Sequence, residues 1–133
     1  MSHFVIAVIP VFHAPPALAA RVTALREQVD AVVLVDDGTH STAVLGLELP
    51  SLHIVEIAEN SGIGNALNEG VQRARELGAT HVLTLDQDSS APAGYVESAL
   101  RILAASAASG VEVAAVVPEF VGGQRVLLRD GFA

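Results

Sequence analysis

From Phe4 to Phe12 the chain reads FVIAVIPVF, an apolar, β-branched run with no polar alternation. Such a run suits a strand covered on both faces, as in a parallel sheet. The following HAPPALAARVTALREQVD sets prolines at a helix start and then Leu18, Val22, Leu25 and Val29 at i, i+4, i+7 and i+11, one face of an amphipathic helix. AVVLVDDG, residues 31–38, is a second buried strand ending in two acids and a glycine, and LHIVEIAEN is a third strand after a loop of Thr, Ser, Gly and Pro. Between Gly62 and Leu77 the period becomes helical, with Ile63, Ala66, Leu67, Val71 and Ala74 apolar and Gly78 where a C-cap belongs. THVLTL is a fourth strand, Pro92 to Ala108 an alanine-rich third helix, and VEVAAVVP a fifth strand; the closing EFVGGQRVLLRDGFA carries no clear pattern. Strand and helix alternate without repeat or linker, which predicts an α/β domain with a mostly parallel sheet and right-handed crossovers.

Composition narrows the classes. At 133 residues the chain is one domain or part of one. Hydrophobic residues make up 51% of it, yet no apolar run reaches the roughly 18 residues that span a bilayer, and MSHFVIAVIPVF lacks the basic start of a signal peptide. The cytosol is the expected compartment. Zero cysteines exclude disulfides, thiolate nucleophiles and Cys-ligated zinc. A net charge of -8, with seven dispersed cations that are all arginine, argues against a nucleic-acid partner. The absence of lysine excludes any mechanism built on a phosphate-gripping or Schiff-base lysine in this chain.

In parallel sheets ligands sit beyond the carboxyl ends of the strands. Asp36, Asp37, Asp86 and Asp88 all fall immediately after predicted strands two and four. Aspartate disfavours strand interiors, and gathered carboxylates repel unless something positive lies among them, so a divalent cation is one expectation. Oxygen-only donors suit Mg²⁺ or Mn²⁺, which is typically held through one or two carboxylates plus phosphates. Acids also cap helices and turns, and each of these aspartates alone is open to that plainer role. Gly62 and Gly64 are likewise open to a tight turn alone, and Phe12 to a place in the core.

VIPVF, VDDGT, NSGIGNALNEG and LDQDS, in this order and spacing, resemble the donor-binding half of family 2 glycosyltransferases of the GT-A fold. The resemblance covers about residues 4–120 and implies a Rossmann-like α/β nucleotide-diphospho-sugar transferase domain. LDQDS resembles the wording of bacterial rhamnosyltransferases, which implies dTDP-L-rhamnose as donor, a UDP-sugar being the other option, and an inverting transfer to a glycan or lipid-linked acceptor in polysaccharide assembly. It implies that Pro10 and Phe12 lie near the base, that Asp36 and Asp37 contact base and ribose, and that Asn60, Gly62, Ala66, Asn68 and Gly70 form the helix motif. Asp86 then approaches the ribose and sugar, and Asp88, with Asp86, meets Mg²⁺ or Mn²⁺ at the diphosphate. Thr39 stands where the family usually has Ser, and Leu67 replaces an Arg common in relatives, which puts a cationic donor contact from this helix in doubt.

The inverting reaction needs a general base for the acceptor hydroxyl. In the family that base lies well downstream of the D-x-D, and of the acids beyond Ser89, namely Glu97, Glu112, Glu119 and Asp130, none sits in a recognisable base motif. The expectation is therefore that residues 1–133 form the nucleotide-sugar-binding half of a longer transferase, peripheral to the inner membrane if the acceptor is lipid-linked. A response-regulator receiver and an aspartate-nucleophile phosphatase both need a lysine that is absent, and a dinucleotide-binding dehydrogenase needs G-x-G-x-x-G after its first strand, whereas GIGNAL follows the third. A non-catalytic sugar-nucleotide-binding or assembly module with a degenerate site is the alternative.

Overall fold

The computed structural model describes residues 2–46 and 48–118. In chain order these form β1 (Val5–Val11), α1 (Leu18–Leu25), β2 (Ala31–Asp37), a 3-10 turn (Thr42–Leu45), β3 (Leu52–Ile57), α2 (Ile63–Glu76), β4 (His81–Thr84) and α3 (Tyr95–Ala108). Two compact units divide the chain, residues 1–97 and 98–133, with the boundary inside α3. The first holds a four-stranded, all-parallel sheet of order β3-β2-β1-β4.

The unpatterned apolar runs become the two central strands. β1 and β2 are buried almost throughout because helices cover both faces. On one face Ile6, Val8, Ala31, Val33 and Val35 pack with Ala66 and Ala74 of α2. On the other, Ile9 shares a small hollow with Leu18 and Leu25 of α1. Leu18, Val22, Leu25 and Val29 are all buried, as their spacing predicts, although α1 itself starts only after the two prolines. β3 is an edge strand and alternates between half-buried and exposed positions.

α2 sits close on the sheet because its central contact residue has no side chain. A Cβ at Gly70 would collide with Val8 Cγ1 and Val35 Cγ2. The helix ends at Gly78 (φ +92), whose N–H donates to Arg75 O (3.0 Å) while the Ala79 N–H donates to Ala74 O (3.0 Å). That paired pattern satisfies two terminal carbonyls and needs the left-handed conformation that glycine adopts freely.

The fifth strand predicted over residues 111–118 does not form. These residues are irregular and mostly exposed, with Val111 and Val117 55% and 80% accessible. A strand exists only where a neighbour completes its ladder, and among the described residues 98–118 there is one helix and no such neighbour. Residues 119–133, with Glu119 and Asp130, lie outside the described residues.

Gly70→Ala tests the packing. Alanine gains about 1 kcal/mol of helix propensity over glycine. Forcing a methyl against two sheet valines costs about 1–3 kcal/mol. Packing is expected to win, so urea denaturation should show the variant less stable; equal or greater stability would mean that α2 sits further from the sheet.

Candidate functional site

Asp36 and Asp37 are consecutive on β2, so their side chains leave opposite faces of the sheet. Asp36 is 1% exposed. Its carboxylate accepts the backbone N–H groups of Thr39 (2.8 Å), His40 (2.9 Å), Ser41 (2.6 Å) and Thr42 (3.1 Å) and the Thr39 hydroxyl (2.9 Å). It thereby wraps the chain after β2 into a loop and opens the 3-10 turn. Burial raises its pKa, but the hydrogen bonds from Thr39, Thr42 and Ser41 outweigh burial and hold it below the ordinary carboxylate value.

Asp37 points to the α2 face. Its Oδ1 accepts from Ser61 N and Ser61 Oγ (both 2.8 Å), and its Oδ2 accepts from Gly62 N (2.9 Å). It thus caps the start of α2 from another strand, at the positive end of that helix. Burial and the neighbouring Asp36 push its pKa up, and the bonds from Ser61 and Gly62 bring it below the usual value. Gly38 (φ +84) lets the two connections meet: a Cβ there would strike the Glu59–Asn60 backbone.

The acids after β4 are held differently. Ser89 N–H donates to Asp86 O (3.0 Å), closing a turn over Gln87 and Asp88. Asp86 and Asp88 are exposed, and among the described residues neither carboxylate accepts a hydrogen bond.

A cavity of about 240 Å³ opens at the carboxyl ends of β1, β2 and β4. Pro10, Phe12, Asp37, Asn60, Gly62 and Asp86 line it, together with Val11, Ile63, Ala66 and Gln87. Asp36, Asn68 and Asp88 do not. Phe12 is no core residue: it is 46% exposed, its ring edge-on to His13 at 4.4 Å. Leu67 packs half-buried against the core, so no cation from that position faces the cavity.

Metal binding has a narrower basis than four gathered aspartates. Among the described residues no three His, Cys, Asp or Glu side chains lie together as a ligand set. Asp36 and Asp37 have N–H groups where the sequence suggested a cation. The free pair Asp86 and Asp88 still fits a hard cation that takes one or two carboxylates and completes its shell with phosphate and water.

Sequence reasoning missed Gln87, Ile63, Ser61 and Arg21. Gln87 stood between the two acids, and Ile63 stood inside GIGNAL, so each was in view within a motif. Arg21, whose Nη1 donates to Gln87 O (3.1 Å), gave no signal, because that contact spans 66 residues.

A parallel sheet with its acids and cavity at the carboxyl edge is the arrangement of nucleotide-binding α/β domains. The description "Glycosyl transferase family 2" matches residues 6–129, nearly the whole chain, and the chain belongs to that family of transferases. Its α/β sheet is accordingly of the GT-A type. Over 73 residues, 54% of the chain, it is 37% identical to the dTDP-rhamnosyl transferase RfbF of Shigella flexneri. That stretch covers 25% of the relative's own length. No solved structure matches significantly. No described helix is long and apolar enough to cross a membrane.

Asp36→Asn is expected to lower unfolding free energy by about 1.5–3 kcal/mol near neutral pH, because an amide replaces a charged acceptor of several N–H groups. A carboxylate whose folded pKa is depressed stabilises fully above its unfolded value, and that stabilisation is lost as pH falls through the folded value. The deficit of the variant should therefore shrink in acid, below about pH 4. Chemical denaturation at several pH values checks this, and a deficit independent of pH would place the effect elsewhere.

Proposed function

We propose that this chain binds the nucleoside diphosphate sugar of a rhamnosyl transfer, with dTDP-L-rhamnose as donor, and forms the donor half of a transferase that acts with inversion on a glycan or lipid-linked acceptor. The observation that carries the reading is the cavity in which Asp37, Phe12 and Asp86 meet beside the acid turn, in a chain of family 2. The partial identity to a dTDP-rhamnosyl transferase supports the choice of donor.

Each residue has a chemical task in this reading. Asp37 Oδ2 accepts one protein hydrogen bond and keeps an acceptor position for the imide N–H of a pyrimidine. Phe12 and Pro10 give apolar surface to the base, and Asn60 and Gly62 form the far wall. At about 240 Å³ the cavity is smaller than the roughly 300–1,000 Å³ of sites for whole drug-sized ligands. It accommodates base and ribose, with the diphosphate running out along the turn at Asp86 and Asp88. A divalent cation held there supplies Lewis-acid stabilisation of the departing nucleoside diphosphate. Asp86 accepts from a ribose or sugar hydroxyl. Asp36 supports the site from behind by fixing residues 39–42, and Asn68 lies outside the cavity lining. Among the described residues the titratable lining is Asp37 and Asp86, and Asp37, held anionic by its hydrogen bonds, is a weak base. The acceptor-activating base is thus assigned to the acceptor half of the full transferase.

Calorimetric titration with dTDP and UDP, each with and without Mn²⁺, tests the reading. Binding is expected to be tighter for dTDP and to depend on the metal. A UDP preference would change the donor, and no binding of either would favour the degenerate binding module. Asp88→Asn should weaken Mn²⁺-dependent dTDP binding and leave the melting temperature unchanged, because that side chain holds no protein group; unaltered affinity would dismiss it as a ligand.

A further inference from the structure

The β1–β4 ladder ends early. Its last register pair is Val8 with Thr84, and its last rung runs from Leu85 N to Val8 O (3.2 Å). Beyond that point a side chain takes over. Gln87 Oε1 accepts the Phe12 N–H (3.0 Å), and Gln87 Nε2 donates to the Phe12 carbonyl (3.0 Å), the pair of bonds a neighbouring strand would make. The backbone of the same residue is held from the opposite helix layer, where Arg21 Nη1 donates to Gln87 O (3.1 Å). Further along, Gln28 Nε2 donates to the carbonyls of Ala91 (3.3 Å) and Pro92 (3.0 Å), and its Oε1 accepts the Val96 N–H (3.1 Å).

The residue between the two acids is therefore gripped by three bonds, while among the described residues the carboxylates of the two acids accept none. We infer that Gln87 is a positioning residue: its carboxamide locks the acid turn to the end of β1 and so sets where Asp86 and Asp88 present their carboxylates to a phosphate-bound divalent cation. This rests on the proposed donor-binding reading for the identity of what the acids meet. A carboxamide suits the task because it carries a donor and an acceptor on one planar end without charge. Glutamate at this position would face the Phe12 carbonyl with a second acceptor and add a third anion between two others.

The experiment compares the wild-type chain with Gln87→Leu and Gln87→Glu in two measurements. Amide hydrogen exchange, read without any ligand, should show the Phe12 and Ser89 N–H groups protected in the wild type and released in both variants. Calorimetry should then show the gain in dTDP affinity on adding Mn²⁺ reduced by about 10- to 100-fold, the usual size for loss of a group that orients metal ligands. Affinity for thymidine, which has no phosphate, should fall by less than that, Gln87 being one of several residues that border the cavity. Unaltered exchange, or an unaltered Mn²⁺ gain, would overturn the inference. So would an equal loss of thymidine affinity, since Gln87 would then support the whole pocket. A wild-type chain without any Mn²⁺ gain would instead sink the donor-binding reading, and the ligand-free exchange result would still decide whether Gln87 grips the turn.

Discussion

The pleat of β2 sends two adjacent carboxylates to opposite faces of one sheet, and each is met by backbone N–H groups of a different connection. Asp36 organises the chain that leaves β2, and Asp37 organises the start of α2. An acidic chain of net charge -8 places these groups side by side, and oriented N–H dipoles supply compensation for their charge. The lowered pKa values of both residues are the consequence. Gly38 completes the junction by allowing the Glu59–Asn60 backbone to pass where a side chain would stand.

The strand order turns this junction into a site. β2 and β3 lie to one side of β1, and β4 crosses to the other, so the direction of winding reverses beside β1. A crevice at such a reversal is where open parallel sheets bind ligands. It gathers Pro10 and Phe12, Asp37, Asn60 and Gly62, and Asp86, segments separated by some tens of residues, around one cavity. The two pairs of acids then differ in kind. One is consumed in building the edge, apart from a remaining acceptor position on Asp37, and the other is left open to solvent on a turn whose middle residue is fixed.

Much of the fold was legible because burial follows period. Leu18, Val22, Leu25 and Val29 declared the covered face of α1, and the unbroken run from Val5 to Val11 declared a strand covered twice. Residues 111–118 had the same apolar character and formed no strand, since composition reports a preference for pleated surroundings and cannot supply the neighbouring ladder. At the site the motifs located the right turns but not the division of labour within them. Four aspartates suggested a shared cation. Which of them already had N–H partners depended on loops folding back from residues 39–42 and 61–62, and that is tertiary information. Gln87 stood in plain view between two acids, yet its grip on Phe12 spans 75 residues and leaves no local signature.

The central claim is that the cavity between Asp37, Phe12 and Asp86 receives the nucleoside of a donor sugar nucleotide. Titrating isotopically labelled chain with thymidine while following the backbone amide resonances tests it most directly, because the nucleoside needs neither metal nor acceptor. The account predicts saturable shifts centred on the amides of Phe12, Ser61, Gly62 and Ile63. Shifts centred away from that edge of the sheet, or none at millimolar ligand, would contradict it.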